Sequence, residues 1–110
     1  MANTFKNKLT TSVDTSPVVV YTTPAATTST VIGVNVANVI TSNISVSVQI
    51  VDDSTATTAY LVKDALIVPG SSAVLVGGDQ KVVLEPNDTI QVTSSALNSA
   101  DVIVSVLEIS

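Results

Sequence analysis

The fold is decided by Val31-Ile-Gly-Val-Asn-Val-Ala-Asn-Val-Ile-Thr-Ser-Asn-Ile-Ser-Val-Ser-Val-Gln-Ile-Val-Asp52. In its second half Ile44, Val46, Val48 and Ile50 alternate with Ser45, Ser47 and Gln49. A period of two puts all four apolar residues on one face of a strand, whereas a helix would scatter them around its circumference. The first half alternates too, with Ile32, Val34 and Val36 on one face and Gly33 and Asn35 on the other. Thr41-Ser42-Asn43 joins the halves with turn-forming residues, and the pair reads as an antiparallel hairpin at the centre of an all-β domain.

Working outward, the rest of the chain reads as more short strands. Residues 1–16 are polar, with Phe5 and Leu9 the only large apolar residues before Val13. They form an edge strand, an arm gripping a neighbouring subunit, or a loose tail. Residues 17–110 form the domain proper. Pro17–Tyr21 is a short strand, and Thr22–Thr30 is a loop interrupted by Pro24. Thr58–Val68 has partial helical spacing, but no N-cap box supports a helix and Ile67-Val68-Pro69 reads extended, so a strand is expected with Tyr60, Val62, Leu66 and Val68 on one face. Strands over Ser72–Val76, Lys81–Glu85 and Thr89–Thr93 are punctuated by Pro69-Gly70, Gly77-Gly78-Asp79 and Pro86-Asn87-Asp88. Pro24–Gly33 faintly echoes Pro69–Gly77, which reused turn grammar explains without duplication. About eight short strands with turns between them predict a single antiparallel β-sandwich or jelly roll.

Composition agrees. Hydrophobic residues make up 45% of the 110-residue chain but aromatics only 3%, so the core must be built from Val, Ile, Leu and Ala. β-branched side chains suit a pleated, packed surface, and the abundant Thr and Ser suit its wet face. Four basic against nine acidic residues give a net charge of −5, which argues against nucleic acid as a partner because phosphate binding needs clustered cations. Apolar runs are too short to span a bilayer, and the N-terminus lacks the apolar core of a secretory signal. Asn43-Ile-Ser and Asn87-Asp-Thr match the glycosylation triplet, as chance alone produces in a Ser/Thr-rich chain.

The residues needed for most chemistry are missing. Without His or Cys there is no catalytic triad and no imidazole or thiolate metal ligand. Asp52, Asp53 and Asp88 could offer oxygens to Ca²⁺, yet no EF-hand spacing is present, and solvated turn residues are the simpler reading. A glycosidase would need two carboxyls across a cleft, and a carbohydrate-binding module would need clustered aromatics, for which Tyr21 and Tyr60 are the candidates. No catalytic, cofactor or metal residues are assigned, and a non-enzymatic protein is expected.

The last strand, Val102–Ile109, differs from the others. Val102, Val104 and Val106 lie on one face, while Ile103, Leu107 and Ile109 lie on the other, interrupted by Ser105. In a one-domain sandwich the second face has little to bury against within the subunit, so it points to self-association. The candidate subunit interface is therefore Ile103, Ser105, Leu107 and Ile109, with Phe5 and Leu9 of the N-terminal segment.

Val20-Tyr-Thr-Thr-Pro-Ala25, Val31–Asn38, Val68-Pro-Gly-Ser-Ser72 and Val83-Leu-Glu-Pro-Asn-Asp-Thr-Ile-Gln-Val92 together resemble small virion structural proteins of tailed bacteriophages, especially cyanophages. Asn87 stands where the last motif often has Gly. The resemblance covers roughly Val18 to the C-terminus. It implies a β-sandwich homo-oligomer, a trimer or ring, that meets the major capsid protein or other virion proteins. Such a protein would assemble in the host cytoplasm and reside in the virion, most simply as a capsid decoration (cement) protein. A neck, tail or fibre-attachment component is the alternative, and a host-surface carbohydrate-binding module a more distant one. The two-sided strand supplies a test. Leu107→Asp should abolish self-association in analytical ultracentrifugation while circular dichroism still shows a folded monomer; an unfolded variant would instead place Leu107 in the intrasubunit core.

Overall fold

Strand formation follows the β-branched runs over most of the chain, the polar segment at residues 3–13 being the exception. The computed structural model describes residues 3–77 and 81–110, so the expected turn at Gly77-Gly78-Asp79 lies largely outside the described residues. The strands are β1 (Asn3–Val13), β2 (Val18–Thr22), β3 (Thr28–Asn38), β4 (Ile44–Asp52), β5 (Thr57–Ile67), β6 (Ser72–Val76), β7 (Val82–Leu84), β8 (Thr89–Ser94) and β9 (Ala100–Ile109). One sheet has the order β1-β9-β3-β6, with β7 also pairing with β3; the other runs β2-β8-β4-β5. All pairings are antiparallel. With β6 and β7 counted as one interrupted strand, there are eight positions in two stacked sheets, as in a jelly roll. About eight strands were expected and the described residues form nine, because residues 3–13 are the edge strand β1.

The central hairpin is the main correction. β3 and β4 belong to different sheets, and Val39–Asn43 arches between them across the end of the sandwich. Periodicity reveals which face of a strand is buried, but both halves of the sandwich bury one face, so it is silent about which sheet a strand joins. A buried asparagine fastens the arch. Asn38 donates its side-chain amide to the carbonyls of Ser42 at 2.8 Å and Ile67 at 2.9 Å, and its Oδ1 accepts the Ile40 N–H at 3.0 Å. Backbone bonds from Asn38 N to Ser71 O and from Val39 N to Ser99 O tie the same arch to the β5–β6 and β8–β9 links.

Bulges account for the other departures. A register shift between Val31 and Gly33 turns Ile32 out of line, so Val31, Val34 and Val36 enter the core while Ile32 is only half-buried. In β5 the register slips twice against β4, and Asp64 adopts φ 56°. The extra residues break the expected single face: Ile67 is buried, whereas Tyr60, Leu66 and Val68 are exposed and Val62 is half-buried. Two tight turns do follow the sequence. Gly70 takes φ 76° in Val68–Ser71, where the Ser71 N–H reaches the Val68 carbonyl, and Asn87 takes φ 69° in Glu85–Asp88. Asn tolerates the left-handed region that the turn requires, so it can stand in the place of Gly.

The core is mostly valine: among the described residues, twelve of its eighteen buried hydrophobic residues are Val. It lies between the inward rows of β3 and β9 on one side and of β4 and β8 on the other. Because the buried Asn38 side chain satisfies three backbone groups at the arch, one of them the buried Ile67 carbonyl, Asn38→Ala should lower unfolding stability by about 1–3 kcal/mol, the cost of leaving a buried polar group unpaired. Chemical denaturation should show this as a lower midpoint with an unchanged slope.

Candidate functional site

The six residues singled out as a subunit interface lie together on the outer face of the five-stranded sheet. Antiparallel partners project to the same face, and the register pairs Phe5 with Leu107, Asn7 with Ser105, Leu9 with Ile103 and Asn3 with Ile109. On the inward side of β9, Val102, Val104, Val106 and Glu108 are buried, which leaves Ile103, Ser105, Leu107 and Ile109 facing out. Phe5 is 76% exposed, Leu9 61% and Ile103 46%. The rows continue across β3: Leu107 pairs with Thr30, which pairs with exposed Val83, and Ile103 pairs with Asn35, which pairs with exposed Val74. Two ridges of large side chains thus run across the strands. Between them Asn7, Ser105 and Gly33 form a row of small residues. A shallow depression of about 580 Å³ opens in this region, lined in part by Phe5, Asn7, Ile32 and Ser105. Bulged Ile32 therefore belongs to this surface, and the simple alternation of its neighbours concealed that.

Near the termini of β1 and β9 the inner face of the same sheet carries a polar cluster that sequence reading missed. Tyr21 donates its hydroxyl hydrogen to Glu108 Oε2 at 2.6 Å, and its oxygen lies 2.7 Å from Ser29 Oγ. Lys6 of β1 reaches Glu108 Oε1 at 3.6 Å. Tyr21, Ser29 and Glu108 are buried. Burial first, and then the hydrogen bond to the Glu108 carboxylate, push the Tyr21 phenol up to about 12. Glu108 occupies an inward position of β9, so the alternation that marks Val102, Val104 and Val106 as core was the available signal. Tyr21 is thereby withdrawn from any carbohydrate platform. Tyr60 is half-exposed, with the Lys63 ammonium 5.3 Å from its ring centre.

Asp52 and Asp88 are turn fasteners. Asp52 Oδ1 accepts the N–H groups of Ser54 and Thr55 and the Ser54 hydroxyl, which hold its carboxyl below the usual range. Asp88 accepts the Asp53 N–H on Oδ1 and the Glu85 N–H on Oδ2, both at 2.9 Å. The structure brings Asp52 and Asp88 close together with Glu85, a residue near Asp88 in sequence but not among the three considered for Ca²⁺, and leaves Asp53 outside that group.

No family model and no curated protein matches the chain. Among solved structures it is similar to a chain from Bacillus endospore appendages, described as a novel family of disulfide-linked pili. The two align over 98% of this chain and 88% of that one, with a TM-score of 0.59 and 11% identity. At that identity the likeness establishes a shared fold.

The Tyr21 hydroxyl gives a pH prediction. Below pH 10 the phenol is protonated in both folded and unfolded chains; between pH 10 and about 12 the unfolded chain releases this proton while the folded one retains it. Stability should therefore fall as pH rises through that window. Tyr21→Phe should remove this part of the alkaline slope and, at neutral pH, lower stability by about 1–3 kcal/mol because Glu108 Oε2 loses its donor while Lys6 still meets Oε1. Denaturation midpoints measured from pH 7 to 11.5 check both.

Proposed function

We propose that this chain is a non-enzymatic structural subunit that works by self-association, and specifically a decoration protein on the shell of a tailed-phage capsid. The observation that carries the reading is the outer face of the β1-β9-β3-β6 sheet, where Phe5, Leu9, Ile103 and Leu107 form an apolar surface on a chain with few charges. Large contiguous apolar patches on soluble proteins mark contact surfaces. A cement protein acts through interface area, so its working parts are side chains like these and no reacting groups are required. The order of strand, Pro turn and Asn-closed strand, with the Val83–Val92 motif, supports the phage assignment over other assembling β-sandwiches.

The fold shared with a chain from a pilus is compatible with an assembling subunit. That assembly is disulfide-linked; this chain has no cysteine, so its own subunit contacts do not use disulfides. The partners in this reading are further copies of the chain and the major capsid protein, and the location is the virion. A neck or tail position would use the same surface in a ring of cyclic symmetry.

Copy number separates the two. Quantitative mass spectrometry of purified particles should find the chain at a stoichiometry comparable with the major capsid protein. A handful of copies per particle would assign it to the neck, tail or fibres, and absence from the particle would overturn the virion reading.

A further inference from the structure

The sandwich has four sheet edges, and three of them are irregular. β2 has five residues and a register shift between Val19 and Tyr21. β5 is bulged twice and carries Asp64 at positive φ beside Lys63. The third, the β6–β7 edge, consists of separate strands of five and three residues. Bulges, short strands and charges are the ordinary means of keeping a sheet edge from pairing with another chain. β1 is different. It pairs with β9 in unbroken register from Asn3 to Thr10, its far side pairs with no strand among the described residues, and the first irregularity is the bulge around Ser12 at φ 58°. Eight regular residues therefore offer a row of backbone donors and acceptors to an added strand.

We infer that β1 is where a second copy of this chain joins by strand pairing, β1 against β1, so that two five-stranded sheets become one continuous sheet. This rests on the self-association proposed above and names its geometry. The partner strand is then β1 itself, because among the described residues it is the one regular open edge that a second copy brings. A two-fold axis perpendicular to the sheet then keeps the apolar outer faces of both copies on the same side, and Phe5 and Leu9 join one surface to the next.

Charge selects the register. Lys6 and Lys8 project to the same face of β1. A pairing centred on Asn7 sets each Lys6 against the partner's Lys8, and centring on Lys6 or Lys8 sets a lysine against its own copy; like charges directly opposite are destabilising. Centring on Leu9 places Lys6 against the bulged Ser12. Centring on Phe5 avoids all of these: Phe5 meets Phe5 across the axis, Thr4 meets Lys6, and Asn3 meets Asn7.

Because the native chain has no cysteine, engineered thiols report this geometry cleanly. Under the assigned register, Asn3→Cys and Asn7→Cys chains oppose one another when mixed, whereas two copies of the same variant hold their thiols about 13 Å apart, four residues along a strand. Mild oxidation of the mixture should give a disulfide-linked dimer that neither variant forms alone. Self-linking of Asn7→Cys alone would overturn the Phe5-centred pairing. Linking of Ser105→Cys alone, with no mixed Asn3–Asn7 product, would overturn the edge contact and leave face-to-face self-association standing. A chain that links nowhere and sediments as a monomer would overturn both.

Discussion

A chain that leaves one sheet and enters the other must carry its backbone across the end of a dry core, and every structural consequence here depends on doing so with its polar groups satisfied. Asn38 meets that requirement at the β3–β4 arch. Its amide donates to two carbonyls, one in the arch and one at the end of β5, while its oxygen accepts a third backbone group. The arch forces consecutive strands into opposite layers. That in turn lets β9 return between β1 and β3, and makes a sandwich from a sequence that reads locally as a meander.

What was legible in the sequence follows from this division. Strand identity and the buried face were readable wherever alternation was regular, as in Ile44–Val48, Ile90–Val92 and Val102–Val106, because burial on one face writes itself into a period of two. Turns were readable where a residue had to take positive φ, as at Gly70 and Asn87. Sheet membership was not readable, since a Val–Ser alternation looks the same in either layer. Bulges escaped notice for a related reason: the shift beside Ile32 and the positive φ of Asp64 disrupt the expected face without breaking the run of β-formers.

The candidate surface was legible for the same reason that the core was. A central strand that is apolar on both faces has one face too many for a two-layer domain, and the surplus appears where Ile103 and Leu107 meet Leu9 and Phe5. The Tyr21–Glu108 cluster was hidden because nothing in the local sequence of either residue signals a partner 87 positions away. Glu108 does stand at an inward position, and a carboxylate in a valine row is itself a sign that a donor waits opposite.

The valine core raises a question of uniqueness. Side chains of one shape repeating every second residue give a strand little reason to prefer one alignment over another displaced by two, since Val would simply replace Val in each socket. The discriminating information must come from the residues that interrupt the row. On β3 the inward series is bracketed by Ser29 and Asn38, and their partners on β9 are Glu108 and Ala100. A two-residue slip would draw Glu108 away from Tyr21 and into valine, and would misalign Ser29 as well. The few polar and bulged positions thus act as index marks on an otherwise featureless scale, and they are what make one alignment of these strands the native one.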